Sequence, residues 1–240
     1  MNLAFDIGNT RRKIGLFNGS RLLECKVVTD WTTDQLLAYC KQAGVRSIIL
    51  STVAFPDKSL QASLTQYFDI LELTQETPLP FENQYSTPQT LGKDRLAAVA
   101  GAQALLPRQH CLVVDCGTCI KYDVLTEKGE YPGGNIAPGV QMRARAMHEF
   151  TAQLPEVALQ MPDDFIGNST ETALQNGAFL GAALEIGSFV GLFEQRYSPL
   201  KVILTGGDSS FLLPYLKIRH LTHEPDLTLY GLNNILMFNS

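Results

Sequence analysis

The chain has 240 residues, of which 45% are hydrophobic and 18% charged, a composition typical of a globular protein that excludes a disordered chain. Its 19 Lys and Arg against 24 Asp and Glu give a net charge of −5, which argues against a protein that neutralises nucleic-acid phosphates. Uncharged apolar runs stay shorter than the roughly 20 residues of a membrane span, and Asp6, Arg11, Arg12 and Lys13 interrupt any signal-peptide core. We therefore predict a soluble cytoplasmic protein that binds neither nucleic acid nor a membrane.

The first half of the chain has the pattern βββαβαβ followed by a loop and a further helix. The Asn18-Gly19 dipeptide between the second and third strands is a strong hairpin-turn signal. The predicted elements are strands at 3–8, 13–17 and 22–28, a helix from Thr32 or Thr33 to about Gly44, a strand at 47–51, a helix at 56–67, a strand at 70–73, a proline-containing loop at 74–91 and a helix at 94–106.

The second half begins with the same plan of strands. The predicted elements are an apolar strand from Cys111, strands at 120–125 and near 133–139, a long helix at 172–197, a strand at 201–205, a helix at 209–216, a short strand near Arg219 and a helix at 226–238. Each copy ends its first strand with an aspartate, Asp6 and Asp115. We predict a duplicated α/β protein whose two lobes, 1–107 and 108–240, face a cleft, and leave open whether the final helix returns to the first lobe.

Glycine-containing turns follow the ends of three predicted strands. They are Asp6-Ile7-Gly8-Asn9-Thr10, Asp115-Cys116-Gly117-Thr118 and Thr205-Gly206-Gly207-Asp208. Glycine at such a place lets the backbone approach a phosphate, and successive amides form an anion-binding concavity. One such turn is ordinary, but repeated copies at one structural position favour a nucleotide site. The roles expected there are phosphate binding by Thr10, Lys13 and Thr118, Mg²⁺ binding by Asp6, and accommodation of adenosine by Gly206 and Gly207.

The helix predicted after the loop opens with Gly92-Lys93-Asp94-Arg95. The helix dipole favours a carboxylate at Asp94, and a carboxylate can accept the proton of an attacking hydroxyl when the transition state is loose. Arg95 offers a planar fork of donors to a carboxylate or phosphate. Local sequence alone favours a plainer interpretation, in which Asp94 and Arg95 form a helix cap and a surface ion pair.

Two further patterns have a functional and a structural interpretation. Cys116 and Cys119 form a C-x-x-C, but a redox dithiol lies at a helix N-terminus and zinc needs two more ligands, so we favour inert thiols in a reducing compartment. The long helix carries glycines that let another helix approach, and we favour packing inside a lobe over a dimer contact. Its glycines and interrupting charges are Gly177, Gly181, Gly187, Gly191, Glu185 and Glu194.

Five segments, in order, resemble type III pantothenate kinases of the acetate and sugar kinase, heat-shock protein 70 and actin superfamily. They are 6–10, 85–88 with 91–95, 115–118 with 129 and 133–139, 167–170, and 205–208. The segment from Tyr85 to Arg95 separates this family from other kinases of the superfamily. The resemblance implies two duplicated ribonuclease H-like (actin-like ATPase) lobes. It also implies ATP-dependent phosphorylation of pantothenate to 4'-phosphopantothenate, with release of ADP, as the first step of coenzyme A biosynthesis.

The resemblance also implies a role for each matching residue. Asp94 is the implied proton acceptor. The implied ATP contacts are Asp6, Ile7, Gly8, Asn9, Thr10, Arg11, Arg12, Lys13, Thr118, Gly206 and Gly207. The implied pantothenate contacts are Tyr85, Gly92, Lys93, Asp94, Arg95 and Thr170. Asp6 would bind Mg²⁺, Asp115 would hold a monovalent cation such as potassium or ammonium, and the protein would work as a homodimer.

The chain departs from the family pattern Asp-x-Gly-Thr-Ala-x-Thr at Cys119 and Lys121. Lys121 either replaces the monovalent cation in part or points to solvent from its strand. Two other functions stay open: another small-molecule phosphotransferase of the superfamily, which the segment from Tyr85 to Arg95 disfavours, and a non-catalytic regulatory protein similar to the Bvg accessory factors. Intact Asp6, Asp94 and Asp115 argue against a loss of catalysis.

Overall fold

The computed structural model describes residues 1–8, 12–52 and 58–240, so Asn9, Thr10 and Arg11, three of the implied ATP contacts, lie outside the described residues. The first elements are β1 (Asn2–Ile7), β2 (Arg12–Asn18), β3 (Arg21–Val27), α1 (Thr33–Gln42), β4 (Ser47–Thr52), α2 (Lys58–Thr65), β5 (Asp69–Glu72), β6 (Glu82–Asn83) and α3 (Lys93–Leu105). The later elements are β7 (His110–Cys116), β8 (Cys119–Leu125), β9 (Glu130–Tyr131), β10 (Gly133–Pro138), α4 (Val140–Glu149), α5 (Thr170–Gln175), α6 (Gly181–Arg196), β11 (Leu200–Thr205), α7 (Ser209–Leu212), β12 (Leu221–His223) and α8 (Leu227–Phe238). These elements confirm the predicted α/β class.

The chain forms two compact units, and the first contains 1–108, 127–132 and 226–240. Its sheet has the order β3-β2-β1-β4-β5, with antiparallel pairing among the first three strands and parallel pairing of β4 with β1 and β5. Leu3, Phe5 and Ile48 pack in a core with Leu36 and Leu64 from α1 and α2. This unit therefore holds the first predicted phosphate turn and the segment that precedes α3.

The C-terminal helix α8 packs on α3 and on β1 within the first unit. Asn234 donates a side-chain hydrogen bond to the carbonyl of Ala100 at 3.1 Å, and buried Asn233 donates to the carbonyl of Gly19 at 2.9 Å. Buried amides need such partners, because an unsatisfied polar group in a core is costly. The end of the chain is thereby an integral part of the unit that contains its beginning.

The second unit contains 109–126 and 133–225, and its sheet has the order β10-β8-β7-β11-β12. Strand for strand, the order and the directions match those of the first unit, which confirms the predicted duplication. Asp6 lies opposite Lys13 in the register of β1 and β2, and Asp115 lies opposite Lys121 in that of β7 and β8. Side chains directly opposite on antiparallel strands lie on the same face of the sheet.

One continuous helix spans Thr170–Arg196 and, among the described residues, is the helix long and apolar enough to cross a membrane by length and composition. One face of it, with Ala178, Ala182 and Ile186, is buried in the core of the second unit. Glu185 accepts from Arg143 at 2.8 Å. Burial of this face accounts for part of the apolar character of the helix.

The glycines of this helix do not face that core. A Cβ built on Gly177, Gly187 or Gly191 would meet nothing within 4 Å. Leu184 and Leu192, in the same helix, are 64% and 60% exposed. The preference for core packing of these glycines is therefore wrong, because they lie on the open face of the helix.

Candidate active site

The first phosphate turn begins at the carboxyl end of β1, which is parallel to β4. Ligands of α/β proteins bind outside this edge of the sheet. Asp6 lies there, and its Oδ2 accepts a long hydrogen bond from the hydroxyl of Thr228 at 3.4 Å. The ammonium of Lys13, predicted to reach phosphate, donates to Asp226 Oδ1 at 3.0 Å. Sequence reasoning missed Asp226 and Thr228, since no local pattern links the two ends of the chain.

The segment from Tyr85 to Arg95, called the acceptor segment below, leads into α3, whose N-cap residue is Gly92. Asp94 lies in the first turn, where its Oδ1 accepts from the backbone N–H of Arg95 at 2.9 Å. Arg95 is only 4% exposed. The interpretation as a helix cap with a surface ion pair is therefore wrong: Gly92 takes the cap position, and the arginine is buried.

The side chains of Arg95 and Tyr85, both in the acceptor segment, stack in a row with that of Tyr131. The Arg95 guanidinium lies 5.3 Å from the ring centre of Tyr85, and the Tyr85 ring lies nearly parallel to that of Tyr131, with centres 6.2 Å apart. Tyr131 is fully buried in β9, which pairs with β6, and packs edge-on against Phe81. No local pattern indicated Tyr131, because the pairing of β6 with β9 joins distant parts of the chain.

The second phosphate turn follows β7. Asp115 lies at the end of that strand, and the Nζ of Lys121 lies 2.7 Å from its Oδ2. Both side chains are largely buried, with 13% of Asp115 and 15% of Lys121 exposed. The interpretation in which Lys121 points to solvent is therefore wrong. Thr118, an implied ATP contact, is exposed in the turn between β7 and β8.

Two glycines fix the turn at Asp115 from either side. Gly206 has a φ of +94°, and a Cβ there would clash with Asp115 Oδ1 and with the carbonyl of Cys116. The backbone N–H of Gly139 donates to the carbonyl of Thr118 at 3.1 Å, and a Cβ on Gly139 would clash with the carbonyl of Gly117. The glycines are required here because the backbone comes too close for any side chain.

A buried hydroxyl fixes the glycine-rich exit of β11. Ser209 donates to the carbonyl of Gly206 at 2.6 Å, and its oxygen lies 2.9 Å from Nε2 of His223. Gly207 is exposed, and a Cβ there would meet nothing within 4 Å. Sequence reasoning missed Ser209, which bonds to the carbonyl of Gly206, and its hydrogen-bond neighbour His223.

Thr170, an implied pantothenate contact, is exposed at the start of α5.

The cysteines have the character of inert thiols. None of the five forms a disulfide bond, and Cys111 and Cys116 are fully buried. Burial raises the pKa of the Cys111 thiol to about 12. It also raises the pKa of Cys116, with smaller contributions from Asp115 and Asp208. Thiolates are the reactive and metal-binding form, so the burial of Cys116 agrees with the structural interpretation of the C-x-x-C, in which Cys119 is half-buried.

Of the two implied metal ions, Mg²⁺ fits the residue expected to bind it, whereas the monovalent cation does not. No three His, Cys, Asp or Glu side chains of the described ranges cluster as a metal site, but Mg²⁺ bound with a nucleotide takes one or two carboxylates and otherwise phosphates and waters. The carboxylate of Asp6 fits that donor set. The carboxylate of Asp115, in contrast, already has the ammonium of Lys121 on one oxygen, so a second cation does not fit there.

Comparisons with known proteins agree with the resemblance found in the sequence. The family model of type III pantothenate kinases matches residues 2–191. A type III pantothenate kinase of Christiangramia forsetii is 39% identical over 241 residues, covering 100% of this chain and 99% of the relative. One of Bacteroides fragilis is 40% identical over 243 residues, with the same coverage.

Solved structures support the predicted actin-like fold. A Campylobacter jejuni protein assigned to the Baf family of transcriptional activators has a TM-score of 0.63 at 24% identity, covering 99% of this chain and 98% of that one. The ROK hexokinase of Thermus thermophilus has a TM-score of 0.56 at 16% identity, covering 99% of this chain and 99% of that one. Likeness at such identities shows the fold alone, whereas the full-length relatives and the family model show the family. The chain belongs to the type III pantothenate kinase family.

Proposed function

We propose that this protein transfers the γ-phosphoryl group of ATP to the terminal hydroxyl of pantothenate, which yields 4'-phosphopantothenate and ADP in the first step of coenzyme A biosynthesis. The proposal is supported by relatives 39% and 40% identical over the whole chain. The structural observation that carries it is the acceptor segment, where Asp94 opens α3 beside the stack of buried Arg95, half-buried Tyr85 and buried Tyr131.

Asp94 is the proposed proton acceptor. The backbone N–H of Arg95 fixes one of its carboxylate oxygens, and the dipole of α3 favours the charged form. As the pantothenate hydroxyl forms its bond to the γ-phosphorus, the bond from that phosphorus to ADP breaks and the hydroxyl proton passes to Asp94. Arg95, whose guanidinium lies 5.3 Å from the ring centre of Tyr85, carries donors suited to the carboxylate of pantothenate.

The glycine-containing turns that follow β1, β7 and β11 are each proposed to contact the nucleotide. Backbone amides near Gly8 and Gly117 and the hydroxyl of Thr118 suit phosphate oxygens, and the exposed backbone of Gly207 suits the adenosine. Asp6 is the proposed ligand of Mg²⁺, which when bound would neutralise the β- and γ-phosphate charge. Arg12, which follows the first glycine-containing turn in the sequence, is the first residue of β2 and has an exposed side chain.

We also propose a cytoplasmic homodimer that forms through the exposed face of α6. Leu184 and Leu192 on that face are 64% and 60% exposed, and exposed apolar patches mark interaction sites. Leu184→Glu should convert a dimer into a monomer in size-exclusion chromatography with light scattering. Leu23→Glu, at a 44% exposed leucine of β3, is the matched control and should leave the dimer intact; a dimer in both variants would contradict the proposed interface.

The function is tested by ADP release from purified protein with ATP and Mg²⁺, in the presence of pantothenate, glucose, acetate or no acceptor. We expect release with pantothenate only, and a loss of at least about 100-fold in kcat for Asp94→Ala. Asp34→Ala is the matched control, because Asp34 is also an aspartate in the first turn of a helix and is exposed.

Other outcomes would favour the other functions. Release with glucose or acetate and not with pantothenate would indicate a different phosphotransferase. Binding of ATP without release for any acceptor would favour a regulatory protein. Full activity of Asp94→Ala would remove that carboxylate from its proposed role.

A further inference from the structure

We propose that Lys121 supplies, from the chain itself, the positive charge that a monovalent cation would bring to Asp115, so that this kinase works without potassium or ammonium. The inference rests on the proposed function. It starts from a disagreement, since the resemblance implies a cation held by Asp115 and the structure places the ammonium of Lys121 on that carboxylate.

The strand register places the two residues of this contact next to each other in the sheet. Asp115 and Lys121 lie directly opposite each other in β7 and β8, next to the turn that joins the two strands. The Nζ of Lys121 lies 2.7 Å from Asp115 Oδ2, and only 15% and 13% of the two side chains are exposed. Because little water screens the pair, the charge of one side chain strongly affects the other.

The other carboxylate oxygen of Asp115 is also closely surrounded. Oδ1 lies so near Gly206 that a Cβ on that glycine would clash with it. A second cation on this carboxylate would also lie close to the ammonium of Lys121, which repels it. The carboxylate of Asp115 therefore suits one positive charge, and Lys121 provides it.

An ε-ammonium group is a close chemical substitute for a bound ammonium ion. Both are compact, singly charged and able to donate several hydrogen bonds. Attachment to the chain keeps the group at a high effective concentration, so that no ion has to be taken from solution. Lys121 acts through Asp115, whose negative charge it cancels beside the turn proposed to receive the phosphates of ATP.

The test compares potassium dependence in three proteins: wild type, Lys121→Thr and the control Lys217→Thr, which alters an exposed lysine of the same unit. Pantothenate phosphorylation is measured in potassium chloride and in tetramethylammonium chloride of equal ionic strength. We expect kcat/KM of the wild type and the control to differ less than about twofold between the salts. Lys121→Thr should lose about tenfold or more without potassium and regain most of it with potassium.

Two results would overturn the inference. A wild type that potassium stimulates tenfold would still need the external ion. A Lys121→Thr variant that potassium cannot restore would show that the lysine acts in another way, for instance by binding phosphate itself.

A second measurement keeps this inference separate from the proposed function. The melting temperature of each protein without substrate is followed against potassium concentration, because an ion that binds only the folded state stabilises it by mass action. Potassium should raise the melting temperature of Lys121→Thr and leave the wild type and Lys217→Thr at the values found in tetramethylammonium. If no salt permits turnover, the proposed function fails, while equal potassium shifts in all three proteins would contradict the role of Lys121.

Discussion

Asp6 and Lys13 in the first unit occupy the same register positions as Asp115 and Lys121 in the second. In the second unit the lysine ammonium lies on the aspartate opposite it, at 2.7 Å. In the first unit the ammonium of Lys13 lies 3.0 Å from Asp226, just before α8. The duplicated sheets thus carry the same pair of residue types and give the lysines different carboxylate partners.

The difference shows that strand register alone does not determine the ion-pair partner of a lysine. Sheet register determines that an aspartate and a lysine share one face, but the element packed nearby determines which carboxylate the lysine meets. In the first unit that element comes from the end of the chain, and the Lys13 pair is also more exposed, with 24% and 25% of the side chains accessible. The different partners are compatible with the two roles proposed above, Mg²⁺ binding by Asp6 and neutralisation of Asp115 by Lys121.

The largest expected effect comes from Gly206, which has no glycine equivalent in the first unit because the corresponding strand β4 ends in Ser51-Thr52. Gly206→Ala should lower the free energy of unfolding by about 3 kcal/mol, since the backbone has a positive φ and a Cβ would clash with Asp115. Gly207→Ala is the control, as its Cβ would meet nothing within 4 Å. Urea unfolding measures both, and equal losses would mean that the exit of β11 adapts to a side chain.

The next largest effect is the difference in coupling energy between the two lysine–aspartate pairs, measured by double-mutant cycles. Lys121→Met with Asp115→Asn should give a coupling energy of about 2 kcal/mol, because removing one partner leaves a largely buried charge. Lys13→Met with Asp226→Asn should give less than about 1 kcal/mol, because that pair is more exposed to water. The cycles use urea unfolding in potassium-free buffer. A larger coupling for the Lys13 pair would contradict the expectation that the less exposed pair is the more strongly coupled one.

Local sequence patterns predicted the parts of the molecule that short-range forces determine. Apolar alternation and turn residues located the strands of both sheets, and the recurrence of an aspartate at the end of β1 and β7 predicted the duplication that the strand orders confirm. The family was identified from segments that are each only a few residues long, because binding turns need particular residues at fixed spacing.

Contacts between distant parts of the chain could not be predicted in this way. The partner of Lys13 comes from the start of the last helix, and the partner of Tyr85 comes from β9, whose pairing with β6 involves two residues of each strand. The partner of Lys121 was open for another reason: its position opposite Asp115 follows from the register of β7 and β8, but register alone does not decide whether the ammonium meets that carboxylate, as it does at 2.7 Å, or turns to solvent.

The smallest effect tests a difference in the hairpins of the two units. The turn between β2 and β3 is short, whereas the chain between β8 and β10 extends into 127–132, which belongs to the first unit and supplies Tyr131. Tyr131→Leu removes the ring stacked on Tyr85, so KM for pantothenate should rise about fivefold to tenfold. Tyr131→Phe keeps the ring and should stay within about twofold, and KM for ATP should change little in either variant. An equal loss with phenylalanine would mean that the hydroxyl, rather than the stacked ring, positions Tyr85.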